Sequence, residues 1–221
     1  MATGVSYRRL DIPGLEQLIG AGAYYGAATV QVQSVAGRHA FVVGGGNSAG
    51  QAAMYLSRYA RQVSILVRSS SLAVSMSDYL ISDIDNSPNV DVRYGVDVVA
   101  CAGNERLEQL QLRDRATGAT ESTPAAGLFI LIGAEPFTDW LPESVRRDRW
   151  GYVLTGRDVG QHWPLEREPL MLETSLPGMF AIGDVRHGSV KRVASAVGDG
   201  SMCIRLVHEY LALTAVTESQ P

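Results

Sequence analysis

Gly44-Gly45-Gly46-Asn47-Ser48-Ala49 places small residues at the first, third and sixth positions of a six-residue stretch. Such a stretch does no covalent chemistry, but it can hold a phosphate. Gly44 allows a tight strand-to-helix turn, Gly46 lets the backbone come close to a pyrophosphate, and Ala49 lets the following helix lie tight against a sheet. Amides at the helix N-terminus, around Asn47 and Ser48, would then face the anion with help from the helix dipole. Further along, Val67-Arg68-Ser69-Ser70-Ser71 carries a cation and three hydroxyls but no acid. An acid there would bind the 2′-hydroxyl of NAD, whereas Arg68, with Ser69 beside it, suits the 2′-phosphate of NADP. Three glycines can also be no more than a flexible turn, and Arg68 a solvated strand-end residue.

The surrounding elements favour the phosphate-binding reading. His39-Ala-Phe-Val-Val43 is the short apolar run of a strand buried on both faces, and Gln62 to Val67 is a second. Between them Ser48 to Tyr59 puts Ala52, Leu56 and Tyr59 on one side at helical spacing. That is a βαβ unit with the glycines at its first turn. Ser71 to Ile84 reads as the next helix, with Ser77 and Asp78 as exposed positions within it. Val90–Tyr94, Asp97–Cys101 and Leu107–Leu112 then alternate as short strands, with a hairpin-like turn at Thr117-Gly118, so an antiparallel excursion interrupts the parallel sheet. Gly127 to Gly133 returns to the core as another buried strand. A Trp-bearing loop region follows, then a strand Met179–Ile182, the turn Gly183-Asp184 and a long helix from Val193 to Leu213. The predicted fold is α/β, a Rossmann-like nucleotide-binding domain with a second, partial domain.

Composition narrows the class. The 221 residues are 46% hydrophobic and 19% charged with a net charge of −4, which gives no general affinity for nucleic acid. No apolar run approaches the ~20 residues of a membrane helix, and the N-terminus has no signal-peptide core. Two separated cysteines, Cys101 and Cys203, read as unpaired structural thiols, so a cytoplasmic setting is expected.

Three motifs in order, GGGNSA with the strand to Arg68, AGLFILIGAEPFT from Ala126 to Thr138, and LPGMFAIGDV from Leu176 to Val185, together resemble the thioredoxin reductase family of NADPH-dependent flavoproteins. The resemblance implies that the first motif binds NADPH, that the second, with Gly133, carries the chain back to a flavin domain, and that the third holds FAD. Gly183 and Asp184 are similar to the turn whose acid bonds the ribityl and phosphate region of FAD. Arg192, Val193 and Ala194 resemble the segment whose amides face the flavin pyrimidine edge. The implied domains are 1–13, a remnant of the FAD-binding domain, 14–131, the NADPH-binding domain, and 132–221, the C-terminal part of the FAD-binding domain.

Two departures bear on function. The family's CxxC would fall around Gly22 to Thr29, where there is no cysteine, and Gly26 and Thr29 stand in the thiol positions. Disulfide exchange, which needs an attacking and a resolving thiol, is not expected. The glycine fingerprint for the ADP half of FAD is also missing, so the chain reads as the C-terminal portion of a longer protein, with NADPH binding the activity retained alone. The expected function is hydride transfer from NADPH to FAD and on to an unknown small-molecule or protein acceptor, in a homodimer if the family's habit holds. The alternatives are a catalytically silent NADP-binding or regulatory module, or a ferredoxin- or quinone-type reductase with Tyr24 and Tyr25 near the flavin.

Overall fold

The computed structural model describes residues 1–26 and 29–218, which form two units, Tyr7–Gly133 and Met1–Ser6 together with the chain from Ala134 onward. The chain crosses at 6/7 and 133/134, where the sequence places the boundaries at 13/14 and 131/132. The difference at the first crossing has a packing cause. Leu10 and Ile12 lie against a core of the larger unit, and the Leu10 N–H donates to the Tyr25 hydroxyl at 2.9 Å.

After β1 (Val5–Tyr7) and the short helix α1 (Leu15–Leu18), the larger unit builds a five-stranded sheet. Its strands are β2 (Ala23–Tyr25), β3 (His39–Val43), β4 (Gln62–Val67), β5 (Val90–Tyr94) and β9 (Gly127–Ile130), in the order β2-β9-β3-β4-β5. Every pairing is parallel. Both faces are covered. Ala40, Val42, Val63 and Ile65 pack against Ala49, Ala53 and Leu56 of α2 (Asn47–Leu56) and Leu80 and Ile84 of α3 (Asp78–Asp85). Phe41, Val43 and Leu66 point the other way, into a core shared with β6 (Val96–Ala102) and β7 (Gln109–Asp114) through Val98, Leu110 and Leu112. Period-two alternation between two apolar layers explains why β3 reads as one continuous apolar run.

Several local expectations change. Val90–Tyr94 belongs to the parallel sheet, and the antiparallel excursion consists of β6, β7 and β8 (Thr120–Pro124). The expected helix from Ser71 to Ile84 begins only at Asp78, with Ser77 in extended geometry before it. The Ser69 hydroxyl donates to the Ser71 carbonyl and the Ser71 hydroxyl accepts from Ala73 N–H, local bonds that compete with a helical ladder. α2 stops at Leu56, so Ala52 and Leu56 are buried while Tyr59, beyond the helix, is 47% exposed.

The second unit contains β10 (Ala134–Pro136), paired with β1, and the long helix α4 (Val193–Glu218). The expected strand Met179–Ile182 is reduced to an isolated bridge between Glu173 and Phe180, because Gly178 turns the chain and only short segments meet. Leu206 of α4 packs with Leu172 and Phe180, and the Phe180 and Tyr210 rings meet edge to face at 6.3 Å. The centre of this unit is Glu173, fully buried, whose carboxylate accepts two bonds from Arg167 at 2.7 and 2.8 Å and one each from Leu170 N–H and Gly178 N–H. Among the described residues no helix is long and apolar enough to cross a membrane.

Candidate functional site

The glycine turn lies where β3 feeds α2. Gly44 has φ +138°, and a Cβ there would sit 2.3 Å from the Leu131 carbonyl oxygen, so both backbone conformation and space demand glycine. Gly46 is different. Its φ of −97° is open to any residue, and a Cβ would meet only the Ser75 carbonyl at 3.7 Å. Nothing among the described residues requires Gly46 to lack a side chain, whereas a ligand backbone or phosphate lying on the turn would. Ala49 is fully buried, its Cβ 3.3 Å from the position a Gly44 Cβ would take.

The first intrahelical bonds run from Ala49 and Gly50 N–H to the Gly46 carbonyl, at 2.9 and 3.1 Å. Gly46 offers no side-chain cap, so the Asn47 and Ser48 amides at the start of the helix have no partner among the described residues. Two donors and the positive end of a ten-residue helix thus face outward, an arrangement suited to a phosphate.

The loop after β4 is stitched onto this turn. Ser75 Oγ donates to the Gly45 carbonyl at 2.8 Å, and Asn47 Oδ1 accepts from both the N–H and the hydroxyl of Ser77. The Asn47 carbonyl group is therefore occupied in holding the loop, a role its position in the motif does not reveal. Arg68 is exposed and makes no ion pair or hydrogen bond among the described residues. The Ser69 proton is committed to the Ser71 carbonyl, while Ser70 and the proton of the Ser71 hydroxyl remain available to an acceptor. Gly133 ends the unit, its carbonyl accepting from Arg8 N–H at 3.1 Å.

In the second unit Gly183 opens a short 3-10 turn and donates its N–H to Asp199 Oδ2 at 3.1 Å. Arg186 reaches the same oxygen at 3.3 Å. Asp199 is absent from the sequence expectations, and its only signal is an acid between Gly198 and Gly200 in an apolar helix. The neighbouring Asp184 is half-buried, with no hydrogen-bond partner among the described residues, so its oxygens are free to accept. Burial pushes the Lys191 ammonium below its ordinary range, opposed by Asp184 and Asp148, and its Nζ lies 4.2 Å from the Tyr152 ring centre. Arg192, Val193 and Ala194 are all exposed, Val193 at 83%.

The positions expected for redox thiols are Gly26 and Thr29. Gly26 is described; Ala27, Ala28 and the Thr29 side chain lie outside the described residues. Cys101 is buried in β6 and burial pushes its thiol up to about 11, so it stays protonated, while Cys203 lies on α4 in the other unit. Tyr24 packs on Phe129 with ring centres 5.4 Å apart, and Tyr25 holds Leu10 through its hydroxyl, so both have structural contacts. No group of metal-ligating side chains occurs among the described residues. Two cavities, of about 900 and 430 Å³, touch none of the expected site residues; the glycine turn is an open ledge.

A parallel sheet whose first βα turn is a glycine ledge with free helix amides defines an α/β protein of the dinucleotide-binding class. The family description pyridine nucleotide-disulphide oxidoreductase matches residues 1–200, and the chain belongs to that family. It is 32% identical over 220 residues to a thioredoxin reductase of Streptomyces clavuligerus, covering 99% of this chain and 63% of that protein. It is 29% identical over 211 residues to a 34.2 kDa protein of the rubredoxin operon of Clostridium pasteurianum, covering 96% and 63% respectively. The solved thioredoxin reductase from Streptococcus pyogenes superposes with a TM-score of 0.73 at 30% identity, over 96% of this chain and 64% of that one. The chain thus spans less than two thirds of the length of these relatives. The family uses FAD and NADPH, and the Gly46 ledge and the free Asp184 carboxylate fit those groups.

Proposed function

We propose that the chain binds NADPH on the Gly44–Ala49 turn and serves as the nicotinamide-binding part of a flavin-dependent oxidoreductase. The carrying observation is Gly46: open space where a side chain would stand, beside two unpaired helix amides, with an unpaired Arg68 just past the end of the next strand. The amides take the pyrophosphate, Arg68 with Ser70 and Ser71 takes the 2′-phosphate, and Asn47 with Ser75 keeps the loop that carries them in place. Asp184 accepts hydrogen bonds from the flavin side chain, and the start of α4 at Arg192 to Ala194 faces the flavin ring. When bound, the cofactors supply hydride transfer from the nicotinamide to the flavin. Of these roles, NADPH binding is the one that the geometry of the Gly44–Ala49 turn itself supports.

A buried, protonated Cys101 and a Cys203 in the other unit support an acceptor other than a disulfide attacked by this chain's own thiols. Two free cysteines suit a reducing cytosol. Calorimetric titration with NADPH and NADH tests the reading. Micromolar NADPH binding with much weaker NADH binding is expected, and no binding of either would overturn it.

A further inference from the structure

His39 opens β3 and Gly44 follows its end, so the two stand at opposite ends of one strand. At the His39 end lies a cavity of about 430 Å³, lined by Arg38, His39, Arg61, Arg106, Glu108 and Thr123 among others, all within the larger unit. Three arginines and one glutamate are among the residues that line it. In the same unit Arg93 pairs with Glu121 at 2.5 Å, and Arg113 and Arg115 both pair with Asp97, whereas Arg68, like the arginines here, has no ion pair among the described residues. Arg38 gives a side-chain N–H to the Ser34 carbonyl, but neither Arg61, Arg106 nor the Thr123 hydroxyl has a partner among the described residues.

The imidazole adds a donor-acceptor pair of fixed sense. Ser64 Oγ donates to Asp91 Oδ1 at 2.8 Å, so its lone pair receives the His39 Nε2–H, also at 2.8 Å, and the ring is stacked on Phe41 with centres 4.1 Å apart. Nδ1 of the neutral ring is then an acceptor, matched to the O–H of a monoprotonated phosphate. Burial holds this imidazole below its ordinary value; Asp91 opposes that, and the Arg61 and Arg93 charges add to it. An anion among the arginines would relieve their effect.

We propose that this open groove is a second anion-binding site, taking a small phosphate- or carboxylate-bearing metabolite between Arg61 and Arg106, at the end of the parallel strands opposite the glycine turn. Its charge excess, two unpaired guanidiniums, an unpaired hydroxyl and the oriented His39 all point to one class of ligand.

The test is NMR titration of the whole chain with inorganic phosphate and, separately, with malonate, following His39 and arginine side-chain resonances. Whichever anion perturbs His39 and Arg61 at the lower concentration identifies the source. Arg61→Ala combined with Arg106→Ala, both exposed positions that leave the cores intact, should weaken that binding about tenfold or more. Glu108→Gln should strengthen it about threefold by removing the opposing charge. Gly46→Val, which blocks the proposed nucleotide ledge, should leave it unchanged, so failure here is distinct from failure of the NADPH reading. Binding unaffected by the double arginine change, shifts confined to Asn47, Ser48 and Arg68, or no response to either anion would overturn the proposal.

Discussion

The side-chain oxygen of Asn47 accepts two hydrogen bonds from Ser77, from its N–H at 2.8 Å and from its hydroxyl at 2.9 Å. The first turn of α2 is thereby tied to the loop that descends from Arg68. Asn47→Ala leaves Ser77 N–H without its partner at an exposed site, so the stability cost should be about 1 kcal/mol. Arg68 and its serines lose an anchor at the same time. A several-fold rise in the NADPH Kd with a melting temperature lowered by about 2–4 °C is expected from calorimetry and thermal unfolding of the variant.

Two glycines two residues apart should respond in opposite ways. At Gly44 a methyl group collides with the Leu131 carbonyl in a backbone conformation that alanine avoids, so Gly44→Ala should cost about 2–4 kcal/mol and lower the melting temperature by several degrees. At Gly46 the space is open, and Gly46→Val should unfold at the parental temperature while NADPH affinity falls by about tenfold or more. A Gly46→Val protein that unfolds early would contradict this division of roles.

Arg68 is the charge that should discriminate between the two nicotinamide nucleotides. Because it is exposed and unpaired, Arg68→Ala should leave stability within about 0.5 kcal/mol of the parent. Loss of a charge-assisted pair with the 2′-phosphate should weaken NADPH binding about 10- to 100-fold and leave NADH unaffected. Parallel titrations with both nucleotides measure the ratio directly.

Glu173 gives the second unit a defined acid sensitivity. Burial pushes its carboxyl up, but Arg167 and the Leu170 and Gly178 amides outweigh that, and the net result lies below the ordinary carboxylate value of 4.5. A depressed folded-state pKa contributes stability that is fully present above the unfolded value and is lost as pH falls through the folded one. The stability gap between parent and Glu173→Gln should therefore be constant at neutral pH and shrink below pH 4.5. Arg167→Ala, which strands the buried carboxylate, should cost about 3 kcal/mol at pH 7 by denaturant unfolding.

The parts of the fold that were legible are those where one physical demand dominates. β3, β4 and β9 are buried on both faces and read as apolar runs, and Gly44 stands where only glycine fits. Thr120–Pro124 gave no apolar signal because its residues are mostly exposed on an edge strand, and Val90–Tyr94 could not be assigned to the parallel sheet because its pattern is the same for either neighbour. Ser71 to Ser77 has composition compatible with a helix, but its hydroxyls close local turns and its end is fixed by Asn47, thirty residues earlier. Asp199 and the empty space at Gly46 depend on contacts across the fold, which spacing does not encode.

The strand order carries a consequence for synthesis. β9 is the last strand of its sheet in the chain, yet it lies between β2 and β3, and Leu131 just after it supplies the carbonyl packed against Gly44. Until Ile130 has left the ribosome, β3 has one hydrogen-bonding edge open, and the 87 positions from Val43 to Ile130 take roughly 4–17 s to translate. An open, apolar strand edge is a template for other chains during that interval. The late arrival of Gly127–Ile130 both completes the packing around the Gly44 turn and closes the nascent sheet to intermolecular pairing.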